Sequence, residues 1–148
     1  MPPRAQGGGN IDCRELVAGA TLFLPVTVPG ALLRVGDGHA AQGDGEVSGT
    51  AIECGMTSRL TLDLVPEPPV PGVHAVTPAG RITFGFSEDL NEATAQALEA
   101  MVGWMTSLFG AGHAGRAGPG ERGGEPAGDA GGQSALGVHA LLPERAVR

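Results

Sequence analysis

The chain contains no lysine. Its positive charge rests on nine arginines, set against sixteen acidic residues in 148, for a formal net charge of −7. Without a basic cluster there is little to neutralise phosphates, which excludes nucleic acid as the expected partner. No basic amphipathic helix offers itself to an anionic membrane surface. Long apolar runs are missing as well. The stretch from Thr21 to Val35 is apolar but broken by Pro25, Pro29 and Gly30, and too short to span a bilayer. The N-terminus Met1-Pro2-Pro3-Arg4-Ala5-Gln6 lacks the apolar core of a signal peptide. A soluble, cytoplasmic protein is therefore expected.

Cysteine is scarce. Cys13 and Cys54 are too few for the disulfide framework of a small secreted domain, and they read as buried, reduced thiols that act as small hydrophobes. No G-x-S-x-G turn is present to carry a serine nucleophile, and no C-x-x-C pair to hold zinc. The length leaves room for one domain with a modest core.

What is there concentrates in Gly36-Asp37-Gly38-His39-Ala40-Ala41-Gln42-Gly43-Asp44-Gly45-Glu46, directly after the apolar run Ala31 to Val35. Glycine collects where a chain must turn tightly or approach a ligand closely. The acids and the histidine between the glycines are the side chains that bind divalent metals and move protons. The segment satisfies G-x-G-x-x-A after a strand, the dinucleotide pattern, but Gly43 and Gly45 oppose the helix that pattern requires. Asp37, Asp44 and Glu46 would also repel phosphate. A calcium loop of the EF-hand type fails because its third ligand position falls on His39. Two readings stay open. His39 could bind a catalytic metal, with Asp37, Asp44 or Glu46 as further ligand or general base. Alternatively, the segment is a structural turn whose acids cap backbone amides and whose histidine only hydrogen-bonds.

Around this loop the first half reads as β-structure. Strands are expected over Thr21 to Val28, with an edge or bulge at Pro25, then over Ala31 to Val35 and Glu46 to Cys54. Thr57 to Val65 shows the cleanest alternation, Leu60, Leu62 and Leu64 facing one way and Thr61 and Asp63 the other. The prolines from Pro66 to Pro71 form a rigid connector. Val73 to Val76 and Arg81 to Phe86 fit a hairpin around Pro78-Ala79-Gly80, with Ile82, Phe84 and Phe86 on one face. One helix follows, capped by Asp89 with Glu92 completing a capping box. Leu90, Ala97, Met101, Met105 and Leu108 form its apolar stripe, and Gly110 ends it. Met101, Trp104, Met105 and Phe109 are read as core rather than as a cofactor box.

Residues 110–133 hold ten glycines in 24 positions with no apolar period, a composition that cannot offset its own ordering and is expected to be flexible and disordered. Leu136 to Pro143 restores pattern as a last strand. The expected organisation is thus residues 1–109 as the main region, 110–133 as a flexible segment and 134–148 as a strand returning to the same domain. His74 and His139 sit in apolar strand-like runs and read as structural; His113, in the glycine-rich tract, reads as solvated.

Gly8-Gly9-Asn10-Ile11-Asp12, Leu24-Pro25-Val26, Gly30-Ala31-Leu32, the whole of Gly36 to Glu46, and Thr50-Ala51-Ile52-Glu53 closely resemble the acetamidase/formamidase family. The resemblance runs nearly unbroken from Gly8 to Glu53, weakens through the helix and returns at Gly137 to Pro143. It implies hydrolysis of short aliphatic amides such as formamide and acetamide to carboxylate and ammonia. It also implies a divalent metal, zinc foremost, and a mostly β, sandwich-like fold assembled as a dimer or higher oligomer. On that basis His39 and Asp37 are candidate metal ligands, Glu46 or Asp44 the candidate general base, and Asp12 and Gln42 candidates for orienting the substrate amide.

Two departures from the family pattern matter. Its members are expected to be roughly twice as long, the part preceding Gly8 supplying further metal ligands, and to carry ordered structure where this chain has its glycine-rich tract. A C-terminal remnant, or the product of a misread GC-rich gene, accounts for both. The competing reading is a catalytically inactive fragment acting as an oligomerisation or interaction module, whose exposed strand edges pair with a second copy or a complementary N-terminal half.

Overall fold

The computed structural model describes residues 7–46, 49–110, 121–123 and 136–147. Among these, seven strands form two antiparallel sheets beside a single long helix, α1 (Leu90–Phe109). The main sheet has the order β1-β4-β5-β7-β6. Its strands are β1 (Thr21–Phe23), β4 (His74–Thr77), β5 (Gly80–Ser87), β6 (Glu121–Gly123) and β7 (Leu136–Pro143). The second sheet pairs β2 (His39–Ala41) with β3 (Ile52–Glu53).

The hairpin forms where the sequence places it. Thr77↔Gly80 closes the β4–β5 ladder, and the Thr77 hydroxyl accepts from the amides of Ala79 and Gly80 while donating to the Gly80 carbonyl. Gly80 has φ +148, and any side chain there would run into the Leu142 carbonyl of β7. β5 then pairs with β7 along its whole length, from Gly80↔Pro143 to Ser87↔Leu136.

That ladder divides the core in two. Val138, Ala140 and Leu142 of β7 meet Ala93, Ala97, Met101 and Met105 of the helix. On the opposite face Ile82, Phe84 and Leu141 join Val73, Ala75 and Cys13, with Ile11, Leu16, Leu24 and Phe86 packed around them. The N-terminal segment is thus the second cover of the sheet. Cys13 is buried as expected, whereas Cys54 is exposed.

The helix begins as expected and settles in a different phase. Asp89 accepts from the amides of Asn91 and Glu92, but Glu92 does not return to the cap directly: it accepts from the Ser87 hydroxyl, which in turn accepts from the Asp89 amide. Gly110, at φ 78, terminates the helix through its amide to the Thr106 carbonyl. Leu90 and Leu108 lie outside the buried stripe, 48% and 42% exposed, and Ala93 and Trp104 take their places. The reason is Gly85. A side chain on this β5 residue would fall on the Ala93 carbonyl and the Ala97 amide, so strand and helix meet at backbone distance and only small residues fit there. Thr83 fastens the same approach by donating to the Ala97 carbonyl at 2.7 Å.

Elsewhere the strand expectations need correction. Of Thr21 to Val28, only Thr21–Phe23 pairs, stopping before Pro25; among the described residues of Glu46 to Cys54, only Ile52–Glu53 does. Ala31 to Val35 is not a strand, and Ala31 and Leu32 have φ of 57° and 55°, a conformation no strand adopts. Thr57 to Val65 is not one either. Leu60, Leu62 and Leu64 are 54%, 72% and 71% exposed, so the alternation has no partner strand or covering layer among the described residues. A period of two states which side chains share a face; the ladder itself needs a second backbone. Of the glycine-rich segment, residues 111–120 and 124–135 lie outside the described residues, His113 among them, while Glu121–Gly123 pairs with β7 as an edge strand.

His74 is buried in the helix-side layer, stacked on Phe23 at 4.4 Å between ring centroids and edge-on to Trp104 at 5.1 Å. Its Nδ1 bonds the Gly72 carbonyl, and its buried Nε2 has no partner among the described residues. Burial pushes this imidazole below its ordinary 6.5.

Two predictions follow from this packing. Gly85→Ala should destabilise the fold by about 1–3 kcal/mol through overpacking, read as a lower urea midpoint; an unchanged midpoint would mean the strand and helix are not in contact. The His74 prediction concerns pH. The fold holds this ring neutral, while the unfolded chain takes up a proton as pH falls past 6.5, so stability present above 6.5 is lost on acidification toward the lowered folded value. The urea midpoint should drop between about pH 7 and about pH 5, and His74→Phe should flatten the drop. Parallel profiles for the two proteins would refute the assignment.

Candidate metal centre

The small β2–β3 sheet brings one imidazole close to several carboxylates. His39 pairs with Glu53 in its register, and the Cys54 amide donates to the Gly38 carbonyl at 2.8 Å. A Cβ on Gly38 would press on Met56 and the Cys54 carbonyl, so glycine lets the second strand close against the turn. Beside it Asp37 has φ 64, and Asp12, across the site, has φ 47. Aspartate is among the few residues that enter this left-handed region readily. Asn10 fixes Asp12 further by donating to its Oδ2 at 3.1 Å.

Gln42 is the tie that aims the ring. Its amide nitrogen donates to the Asp12 carbonyl, which leaves Oε1 to face His39 Nδ1 at 2.7 Å. Nδ1–H therefore donates to Gln42 in the neutral ring, and Nε2 carries the lone pair. That nitrogen stands 3.3 Å from Asp37 Oδ1 and 3.4 Å from Glu46 Oε1. Orienting an imidazole through its other nitrogen is how ligating histidines are usually held.

Two sets of donor atoms converge here. Asp12, His39 and Glu46, all half-buried, bring one ligand atom each within 4.8 Å of one another; so do Asp37, His39 and Glu53. Four carboxylates thus surround one imidazole. Burial, then the neighbouring Asp37, raises the Asp12 carboxyl; burial, then Asp12, raises that of Glu46. His39 is raised too, first by its hydrogen bond to Gln42 and then, against partial desolvation, by Asp37 and Glu46. The neighbouring carboxylates add to each of these shifts, because the cluster holds more negative charge than one imidazole offsets. A divalent cation is the species that such a donor set accommodates, so the residues fit the metal that the resemblance implies.

The sequence candidates are therefore divided. His39, Asp37, Glu46, Asp12 and Gln42 come together, with Asp12 standing among the possible ligands rather than apart from them. Asp44 stands outside, paired with Arg14 at 2.7 Å on the surface. Glu53 is brought in by the strand register, and no spacing pattern in the sequence signals it. His74 and His139 both lie in the main sheet, away from β2.

Comparison with known proteins covers the same part of the chain. The model of the Acetamidase/Formamidase family matches residues 1–71, the part that holds every residue of the β2–β3 site. Over that stretch the chain is similar to the acetamidase/formamidase family. A protein of Schizosaccharomyces pombe that carries a formamidase name is 38% identical over 103 residues, 60% of this chain and 25% of that protein. The acetamidase of Mycolicibacterium smegmatis is 44% identical over 66 residues, 44% of this chain and 16% of its own length. The formamidase of Methylophilus methylotrophus is 44% identical over 48 residues, 32% of this chain and 12% of its own length. The chain thus spans a quarter or less of these family members. No solved structure matches it. No helix among the described residues is long and apolar enough to cross a membrane.

The role of Gln42 is open to direct measurement. In metal-free protein His39 should titrate above 6.5, and Gln42→Ala should bring it down, followed by NMR of the imidazole protons. An unmoved titration would show that the acids alone hold the ring.

Proposed function

We propose that this chain supplies part of the centre of a metal-assisted amidohydrolase acting on short linear amides, formamide and acetamide, to give carboxylate and ammonia. The observation that carries the reading is the pose of His39: Nδ1 held by Gln42, Nε2 turned toward Glu46 and Asp37. The formamidase and acetamidase names of the relatives support the substrate class.

Asp37, His39 and Glu53 would hold the cation, zinc being the species proposed, with Asp12 beside them, which leaves Glu46 as the base. When bound, such an ion supplies Lewis acidity toward the amide carbonyl and makes water more acidic. The residues of the chain do the rest. Glu46 takes the proton from the attacking water and delivers it to the departing nitrogen, so that amide and water leave as carboxylate and ammonia. Its raised carboxyl suits a group that must carry a proton as well as lose one. Gln42 and the Asp12 backbone carbonyl hold the imidazole in the tautomer that keeps Nε2 free. Asp44, tied to Arg14, is the weaker candidate for the base.

A second reading has its own observation. Leu32, Leu60, Leu62 and Leu64 are each more than half exposed, an apolar surface that a monomer rarely keeps bare. A catalytically inactive fragment that pairs with a second copy, or with a complementary N-terminal half, would cover it. Homo-oligomerisation belongs to either reading.

In an assembled enzyme built from this chain and a complementary part, His39→Ala should abolish metal-dependent ammonia release from formamide. Undiminished turnover would refute the assignment. Metal analysis separates the two readings: stoichiometric zinc with amidase activity supports the enzyme, and metal-free oligomers support the interaction module.

A further inference from the structure

A second group of soft donors lies on the other side of Arg14, where the N-terminal segment covers β7. Cys13 and His139 are buried, 8% and 7% exposed, and Glu15 is half-buried between them. The Cys13 thiol donates to Glu15 Oε2 at 3.2 Å, and His139 Nε2 stands 3.5 Å from the same oxygen. All three donor atoms lie within 4.8 Å of one another. The other Glu15 oxygen, Oε1, is occupied by Arg14 Nε at 3.0 Å, while the far end of that guanidinium reaches Asp44. Arg14 therefore fixes which carboxylate oxygen faces inward.

We propose that Cys13, Glu15 and His139 form a second divalent-cation site, selective for zinc-class ions and sharing no donor with the group around His39. Thiolate, imidazole and one carboxylate oxygen are the ligands of zinc and its neighbours; magnesium and calcium prefer all-oxygen sets. Charge favours the assignment. A thiolate and a carboxylate beside a neutral imidazole carry two negative charges, which one divalent ion cancels in a place too buried to leave them bare. Burial lowers His139, so the ring is available with its lone pair. Hydrogen bonds from Arg14 and Cys13 outweigh the opposing effect of burial and hold Glu15 low, so it is available as a carboxylate.

The arrangement does not suit a cysteine nucleophile. Glu15 Oε2 takes the thiol's hydrogen bond and also faces His139, and burial pushes the thiol up to about 12. A cation is the agent that would displace that proton at neutral pH. The layer around the site is apolar, with Ile82, Phe84 and Leu141 packed against Cys13 and the Phe84 ring 6.0 Å from that of His139. Three protein ligands leave one coordination position for water or a further donor.

The test uses the full chain, stripped of metal with a chelator and titrated with Co2+ as the optical stand-in for zinc. A thiolate-to-cobalt charge-transfer band should saturate at one ion per band-forming site and disappear when Zn2+ is added. Cys13→Ser should abolish it and His139→Gln should weaken cobalt binding at least tenfold, whereas Cys54→Ser and His39→Ala should leave it intact. The wild-type, Cys54→Ser and His39→Ala arms need no change in the core, so they report even if a buried substitution perturbs folding. No band at saturating Co2+, a band that survives Cys13→Ser, or one lost in Cys54→Ser would overturn the proposal. Loss of amidase activity in His39→Ala with this band intact leaves the proposal standing, because the two centres share no ligand.

Discussion

Pairing of β7 with β5 is the contact on which the architecture rests. It is the longest ladder among the described residues, and it joins the C-terminal strand to the hairpin at the centre of the main sheet. β7 is buried on both faces. Val138, Ala140 and Leu142 go into the helix layer, while Leu141 goes into the layer closed by the N-terminal segment. A strand buried on both sides gains hydrophobic stabilisation from each, so withdrawing it would open both cores at once. Gly80 and Gly85 permit this at opposite ends of β5, one by clearing Leu142 and the other by letting the helix come down to the backbone.

The site around His39 depends on the same cover indirectly. Asp12 belongs to the N-terminal segment whose neighbours Ile11 and Cys13 pack under the sheet. Gln42 reaches across to its carbonyl and converts that anchorage into the orientation of an imidazole. The cluster is thus placed on a small two-stranded sheet, held to the body through the contact of Gln42 with the Asp12 carbonyl. The carboxylates around the ring repel one another, and His39 offsets part of that repulsion.

Legibility followed locality. The β4–β5 hairpin, the cap at Asp89, the stop at Gly110 and the whole of β7 are written in contiguous residues, because turn chemistry, capping and period act over a few positions. The Gly36 to Glu46 segment stood out for the same reason, and its residue types pointed to metal or proton chemistry before any pairing was known. The misreadings share the opposite character. Thr57 to Val65 has the alternation of a strand, but its leucines remain bare because a ladder needs a partner. Leu90 and Leu108 share the helical period, yet the buried face was chosen by Gly85 on another element.

Composition, glycine spacing and the cluster of acids about His39 were determined by the sequence alone, since each is a property of neighbours along the chain. Tertiary structure decided which acids count. It brought in Asp12 from the N-terminal segment and Glu53 through strand register, and sent Asp44 out to Arg14. It also set His139, from the far end of the chain, beside Cys13 and Glu15. Convergence of that kind requires the closing of long loops, and no local pattern of residues encodes where such loops close.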